Sequence, residues 1–335
     1  MTSGVPQGSV LGPLLFIILM IDIDSDINAA SSSYADDTRV WNSINQHIRE
    51  SHLQLELDKV YRWAAVNNMQ FNAKKFELLC LGRPHRDPQY KSPLGEPITK
   101  KLSVKDLGVT FQDNLHFRSH VLTIVKKGHK MANWALRTFR TRKDYILLTI
   151  LKSLVRPQVE YACQVWSPSD QWLINLLENV QRKFTKRFAS FQQYDTTLQM
   201  PICRKTYPER LKALNIYSLQ RRRERYFIIQ VYKFVIGLAD NPGFRVLKYG
   251  LRTKIRVEPT FCRNALSWVK RARSASLSCH GARLYNSLPD HLRELEDIAV
   301  PTKKDVNSFK RRLDSYLSTI LDNPGTRYNA LLPYI

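Results

Sequence analysis

The spacing of apolar side chains along this 335-residue chain predicts mostly helices, with a few short strands near its start. From Trp172 to Phe188, the residues Leu173, Leu177, Val180, Phe184 and Phe188 recur three or four positions apart, which puts them on one helical face and sets Arg182 and Lys186 opposite. A second helix is expected over His116 to Arg140, where Val121, Ile124, Val125 and Leu136 accompany Lys126, Lys127, Lys130, Arg137 and Arg140. Between them Ile146, Ile150, Leu151 and Leu154 share a face, and Pro157 should kink or end that helix. Leu53, Leu57, Val60 and Tyr61 mark a helix from Ile48 to Trp63 that breaks at Asn67-Asn68, and Val306, Phe309, Leu313, Leu317 and Ile320 form a stripe that stops at Asn323-Pro324-Gly325. The unbroken run Leu14 to Ile21 reads as a buried helix; it is far shorter than the roughly 20 residues that a bilayer crossing takes.

Strand signals are weaker. Met69 to Leu81 alternates poorly but is rich in Phe and Leu, and it reads as strand pieces returning to a sheet beside Tyr34 to Asp37. Pro84, Pro88, Pro93 and Pro97 make a surface loop, after which Val104 to Phe111 supplies another short strand. The fold class expected is therefore α+β: a small antiparallel sheet backed by helices, then long helices. Length allows about two domains, or one with a large appendage. Residues 189 to 208, with Pro201 and Pro208, read as a link between two helical regions.

Charge adds a partner to that picture. The chain has 52 Lys and Arg against 29 Asp and Glu, a formal +23, and residues 1 to 60 hold three basic and eight acidic side chains, so residues 61 to 335 carry +28. Such an excess points to nucleic acid. At Arg221-Arg222-Arg223-Glu224-Arg225 positive charge opens a helix against its dipole, which suggests an anionic partner for Arg221 and Arg222. Lys248 to Arg273 adds Tyr249, Phe261 and Trp268, for which buried packing outweighs base stacking. Five widely spaced cysteines fit a reducing compartment, so an intracellular protein of the nucleus or cytoplasm is expected, neither secreted nor membrane-bound. Cys262, Cys279, His280 and His291 contain no close Cys-x-x-Cys pair, and no zinc is expected. Hydrolase and phosphate-loop motifs do not occur.

The candidate chemistry lies at Tyr34-Ala35-Asp36-Asp37. Adjacent residues on a strand face opposite ways, so Asp36 and Asp37 can act together only at the tip of a tight turn between two strands. Paired carboxylates there suit magnesium, with manganese as the other ion, because hard cations take oxygen ligands and join them to substrate phosphates. Asp22, Asp24 and Asp26 follow the apolar run and read as a connecting turn.

Four motifs in order carry a resemblance: Pro6-Gln7-Gly8, Tyr34 to Asp37, Asn72-Ala73-Lys74-Lys75 and Asp106-Leu107-Gly108-Val109. The series resembles the reverse transcriptase of non-LTR retrotransposons, LINE elements of the jockey and CR1 kind. Matching continues through Leu154 to Pro157, Glu160-Tyr161 and Val165 to Pro168. The resemblance implies a partial polymerase palm over residues 1–115, a helical thumb-like region over 116–190 and a basic, mostly helical region over 191–335. It implies that Asp36 and Asp37 hold the metal, and that Lys75 sits near the triphosphate; Phe76 stands where relatives carry threonine. Pro6, Gln7, Gly8 and Ser9, with Tyr34, would touch template and nucleotide, the Leu107-Gly108 hairpin would grip the primer end, and Arg182, Lys186, Arg221 and Arg222 would meet the nucleic-acid backbone. The implied partners are an RNA template, a DNA primer and deoxynucleoside triphosphates.

Relatives place a further metal-binding aspartate and a basic fingers region ahead of Pro-Gln-Gly, where only Met1, Thr2, Ser3, Gly4 and Val5 stand here. The expectation is an RNA-directed DNA polymerase fragment, using two magnesium ions in its parent and inactive or nearly so alone. The alternative is a non-catalytic RNA- or DNA-binding remnant. In a third reading a separate chain supplies the missing part.

Overall fold

A computed structural model describes residues 8–43, 50–82, 88–195, 197, 199–240, 245–249, 254–258, 267–294 and 300–324. The chain divides into two compact units, residues 1–104 and 105–335. Its strands lie in five separate two-stranded pairs among many helices, an α+β protein with no extended sheet among the described residues.

The first unit contains α1 (Gly12–Met20), the antiparallel hairpin of β1 (Ala30–Tyr34) and β2 (Asp37–Trp41), α2 (Glu50–Val66), and the parallel pair β3 (Leu78–Leu79) and β4 (Lys100–Lys101). Its core is thin: Ile23, Val60, Ala64 and Tyr90 are buried, with Glu56 among them. The Glu56 carboxylate accepts the Asn28 N–H at 2.6 Å and pairs with Lys59 at 2.9 Å, and that lysine holds its pKa below the ordinary value. The proline-rich loop turns back on itself, with Ser92 N–H donating to Glu96 O and Ile98 N–H to Tyr90 O. Gln54 and Tyr61 of α2 fasten it through Lys91.

Two expectations fail in this unit. The run Leu14 to Ile21 is helical but not buried, for Leu14, Leu15, Ile17, Ile18 and Leu19 are 41–59% exposed. Apolar composition makes a helix adhesive, but burial needs a partner surface, and in this unit none of the described elements covers these side chains. Second, β3 pairs with β4 and not with the Asp36-Asp37 hairpin. The hairpin is too polar to sheet further, because Ser31, Ser32 and Ser33 give β1 nothing to bury.

The second unit starts at a hairpin whose strands are β5 (Ser103–Asp106), which carries the division, and β6 (Val109–Gln112). Then come α3 (Arg118–Thr138), α4 (Asp144–Ile150), α5 (Arg156–Glu160), α6 (Cys163–Trp166), α7 (Gln171–Thr185), the hairpin β7 (Gln192–Asp195) and β8 (Met200–Cys203), α8 (Tyr207–Ala213) and α9 (Leu219–Val235). A last group comprises the hairpin β9 (Arg245–Tyr249) and β10 (Lys254–Glu258), α10 (Ser267–Ala275), α11 (Ala282–Asn286), α12 (Asp290–Arg293) and α13 (Lys303–Thr319).

Periodicity located these helices well. Leu173, Leu177, Val180 and Phe184 of α7 are buried together with Val121, Ile124 and Val125 of α3. Helix α3 meets α5 and α7 closely at Gly128, where a Cβ would lie 2.8 Å from Val159 Cγ1 and 3.2 Å from Val180 Cγ1. Pro157 neither ends nor sharply breaks its helix: a π-turn over Leu151–Val155 widens the spiral just ahead, and the proline enters at the first turn of α5. The stretch 189–208 contributes Phe191 and Tyr207 to the same core, so it is packed rather than a free link. A second apolar cluster joins α9 to α11 and α13, with Tyr232 stacked on Phe309 at 3.9 Å between ring centres.

The arginine run at the start of α9 finds its anions inside the protein. Arg221 is 1% exposed and donates to the carbonyls of Leu317, Ile320 and Leu321, closing the last turn of α13. Arg222 makes a two-pronged pair with Glu160, and Arg225 another with Asp314. Arg221 and Arg222 are thus structural cations, and the tension with the helix dipole is relieved by Glu160, Asp314 and Asp322 rather than by an outside phosphate.

Candidate functional site

The paired acids stand where a tight turn presents them. Tyr34 is directly opposite Asp37, so Ala35-Asp36 is a two-residue connection. Ala35 takes φ +53°, a left-handed conformation that residues with a Cβ rarely adopt and that such hairpin turns require. Asp36 lies in the turn and Asp37 begins β2; both are exposed, and among the described residues neither carboxylate has a hydrogen-bond or ion-pair partner. A sequence that bends its backbone to present two unneutralised acids is chemically suited to a hard cation. Among the described residues no group of three His, Cys, Asp or Glu stands together, so the pair has no third protein ligand there. Asp22, Asp24 and Asp26 lie in a turn and serve locally: Asp22 accepts from Trp63 Nε1 at 3.0 Å, Asp24 from Ser31 Oγ at 2.9 Å, and the Asp26 carbonyl from Lys59.

In the same unit, Ala73–Lys75 forms one 3₁₀ turn, capped by the Asn72 side chain accepting from Lys74 N–H. This explains the asparagine of the Asn-Ala-Lys-Lys motif: it fixes the turn on which Lys74 and Lys75 stand exposed. Phe76 packs edge-on with Tyr61 and Phe71, so the residue in place of threonine anchors the turn to α2. Gly8, at φ +83°, and Ser9, whose Oγ accepts the Gly12 N–H at 3.0 Å, lead into α1. Pro6 and Gln7 lie outside the described residues.

In the second unit, Leu107 (φ +41°) and Gly108 (φ +84°) form the two-residue turn between β5 and β6. Tyr161 supports it: the phenol donates to the Leu107 carbonyl at 3.0 Å, and its ring edge lies 3.4 Å from where a Gly108 Cβ would stand. The Tyr161 carbonyl is held in turn by Trp166 Nε1 at 2.7 Å. His120 Nδ1 accepts the Thr110 N–H at 3.2 Å, tying β6 to α3, and burial, with Lys127 second, keeps that imidazole's pKa below the ordinary value. The supporting roles of Tyr161 and His120 were not legible from motif spacing, since Tyr161 reaches across 54 residues and His120 reaches back ten residues from within a helix to a strand. Arg182 is half-buried, bonded to Asn179 and lying 5.0 Å over the Tyr207 ring, whereas Lys186 is exposed just past α7.

The comparisons with known proteins agree with this reading. Residues 1–111 match the family model for reverse transcriptase (RNA-dependent DNA polymerase). The chain is 28% identical over 207 residues to a protein named probable RNA-directed DNA polymerase from transposon X-element of Drosophila melanogaster, covering 58% of this chain and 23% of that one. It is 27% identical over 208 residues to the RNA-directed DNA polymerase from mobile element jockey of Drosophila funebris, with the same coverage. A probable RNA-directed DNA polymerase from transposon BS of Drosophila melanogaster is 24% identical over 249 residues, 68% of this chain and 27% of that one. The chain thus spans about a quarter of the length of these curated relatives. No solved structure matches it. With the motifs in order and the acids on a hairpin tip, residues 1–111 belong to the reverse transcriptase family, of the jockey-like kind that non-LTR mobile elements carry.

Proposed function

We propose that this chain is part of an RNA-directed DNA polymerase, in which Asp36 and Asp37 hold a divalent cation, magnesium or manganese, that serves nucleotidyl transfer. The observation that carries the proposal is the tight turn that exposes both acids without an internal partner. The cation, when bound, supplies charge for the reacting phosphate and lowers the pKa of the attacking hydroxyl. The resemblance assigns this chain's own residues the positioning roles: Lys75 to the triphosphate, Gly8 and Ser9 to template and nucleotide, and the Leu107-Gly108 turn to the primer strand. RNA template, DNA primer and deoxynucleotides are the partners this assigns. Magnesium is usually held by one or two carboxylates together with substrate phosphates, so Asp36 and Asp37 take up the ion chiefly in company with the nucleotide.

Primer extension on an RNA template tests this. A longer polypeptide that adds a third carboxylate should extend the primer, and Asp36→Asn or Asp37→Asn should each lower its rate by at least about 10²-fold, the scale of removing a principal electrostatic stabiliser at a reacting phosphate. Extension unaffected by both substitutions would overturn the assignment. The isolated chain should still bind nucleic acid with affinity unchanged by Asp36→Asn.

A further inference from the structure

Between α3, α7 and the β7–β8 hairpin lies an open cleft of about 380 Å³, of whose lining the polymerase resemblance gives a role to Lys186 alone. Its charged lining is wholly basic: Lys183, Lys186 and Arg187 extend from α7 and the residues after it, and the imidazole of His129 stands beside them from α3. Burial, and after it the charge of Lys183, holds the His129 pKa below the ordinary value, so at neutral pH the positive charge of the cleft is that of Lys183, Lys186 and Arg187. No acid lies in α3 to offset this. From the cleft, the exposed face of α3 continues through Lys126, Lys130, Asn133 and Arg137, which fall within about 60° of one another at 100° per residue, and reaches Trp134 at its far side. Trp134 is 47% exposed, and Phe139, 37% exposed, meets its ring edge-on at 6.3 Å.

We infer that this cleft and the α3 face beside it bind single-stranded nucleic acid, phosphates along Lys183, Lys186, Arg187 and Lys130 and an unpaired base stacked on Trp134. The aromatic side chain decides the strand class. A clamp for duplex backbone needs cations alone, because the bases are stacked inside the helix. A half-exposed indole among cations forgoes burial energy within the fold, and it fits a surface built for bases with open faces. The exposed cations along α3 have the same logic, for they stand on the face turned away from the core and can follow a flexible strand. This inference rests on the polymerase reading for its nucleic-acid partner and adds to it strand class and residues.

Fluorescence anisotropy with the full chain tests it, using a labelled 12-nucleotide single strand, its duplex, and the same strand with abasic sites throughout. The single strand should bind more tightly than the duplex. Trp134→Ala should weaken single-strand binding by about five- to a hundredfold, the loss of one stacked base, and leave abasic-strand binding unchanged, while Trp134→Phe restores most of the loss. Lys183→Ser with Lys186→Ser should weaken all three probes and reduce the steepness of the salt dependence by about 0.7 for each phosphate of a single strand that is no longer neutralised. Because the altered side chains are exposed, circular dichroism should report native folding. Tighter duplex binding, or single-strand binding indifferent to Trp134→Ala, overturns this site while leaving the polymerase assignment standing. Failure to bind any of the probes at low salt would overturn both.

Discussion

At the level of single residues, the strongest physical statement concerns carboxyls buried among arginines. Glu178 is fully buried between Tyr207 Oη and the Gln220 N–H, and Glu224 is 6% exposed with Arg221, Arg223 and Gln220 around it. Burial pushes both carboxyls above the ordinary value, Glu224 to about 7, because the surrounding guanidiniums offset only part of the lost hydration. The consequence for stability has a definite sign. In the unfolded chain Glu224 loses its proton near 4.5, whereas the folded chain keeps it until about pH 7, so its favourable contribution is complete below pH 4.5 and fades as pH rises to 7. The Glu224 contribution amounts to about 3 kcal/mol across that window. Urea unfolding at pH 4.5, 6 and 7.5 should therefore show Glu224→Gln flattening the decline, since an amide has no proton to lose. An equal slope in both proteins would place Glu224's titration elsewhere. No sequence pattern hints at this, as a Glu inside an arginine run looks like surface charge until Glu160, Asp314 and Asp322, distant in the chain, are packed against it.

Elements were legible where period and burial coincide. The α7 stripe and the α13 stripe became the cores of two clusters because a 3.6-residue period names the buried face whatever covers it. The aspartate hairpin was equally legible, since its chemistry makes sense only at a turn. Pro157 was not, because a π-turn that accommodates a proline leaves no mark in the sequence. The run Leu14 to Ile21 was half legible: helix followed from composition, but its mean apolar character has no polar side to say which face is covered. That exposure has a measurable effect. A hydrophobic dye such as anilinonaphthalene sulfonate should bind the native chain, and Ile17→Lys with Ile18→Lys should remove on the order of half of its fluorescence, for exposed apolar patches are what such dyes report. The same pair should alter unfolding free energy by less than about 0.5 kcal/mol per site, because both side chains already face water. A larger loss of stability would mean that α1 is packed in solution.

Across the whole molecule, charge and architecture divide together. Residues 1–104 hold eleven basic and eleven acidic side chains, so the second unit, with 41 against 18, carries the entire formal +23. The unit with the paired acids of the hairpin is neutral overall, and the unit of long helices is the polycation. The fold then withdraws part of that charge from use: Arg156, Arg210, Arg221 and Arg223 are buried, and Arg222 and Arg225 are paired with Glu160 and Asp314. A count of basic residues therefore overstates the number of phosphates this protein can meet. If the remaining exposed cations engage roughly 6–10 phosphates, affinity for nucleic acid should fall about 10³–10⁵-fold between 50 and 200 mM salt. Because the salt slope counts phosphates neutralised by cations, Asp36→Asn with Asp37→Asn should leave it unchanged, whereas Arg222→Gln should disturb stability through Glu160 before it touches the slope. A salt titration of the three proteins separates these roles, and a slope that flattens with Arg222→Gln in a chain that stays folded would show that this guanidinium reaches phosphate after all.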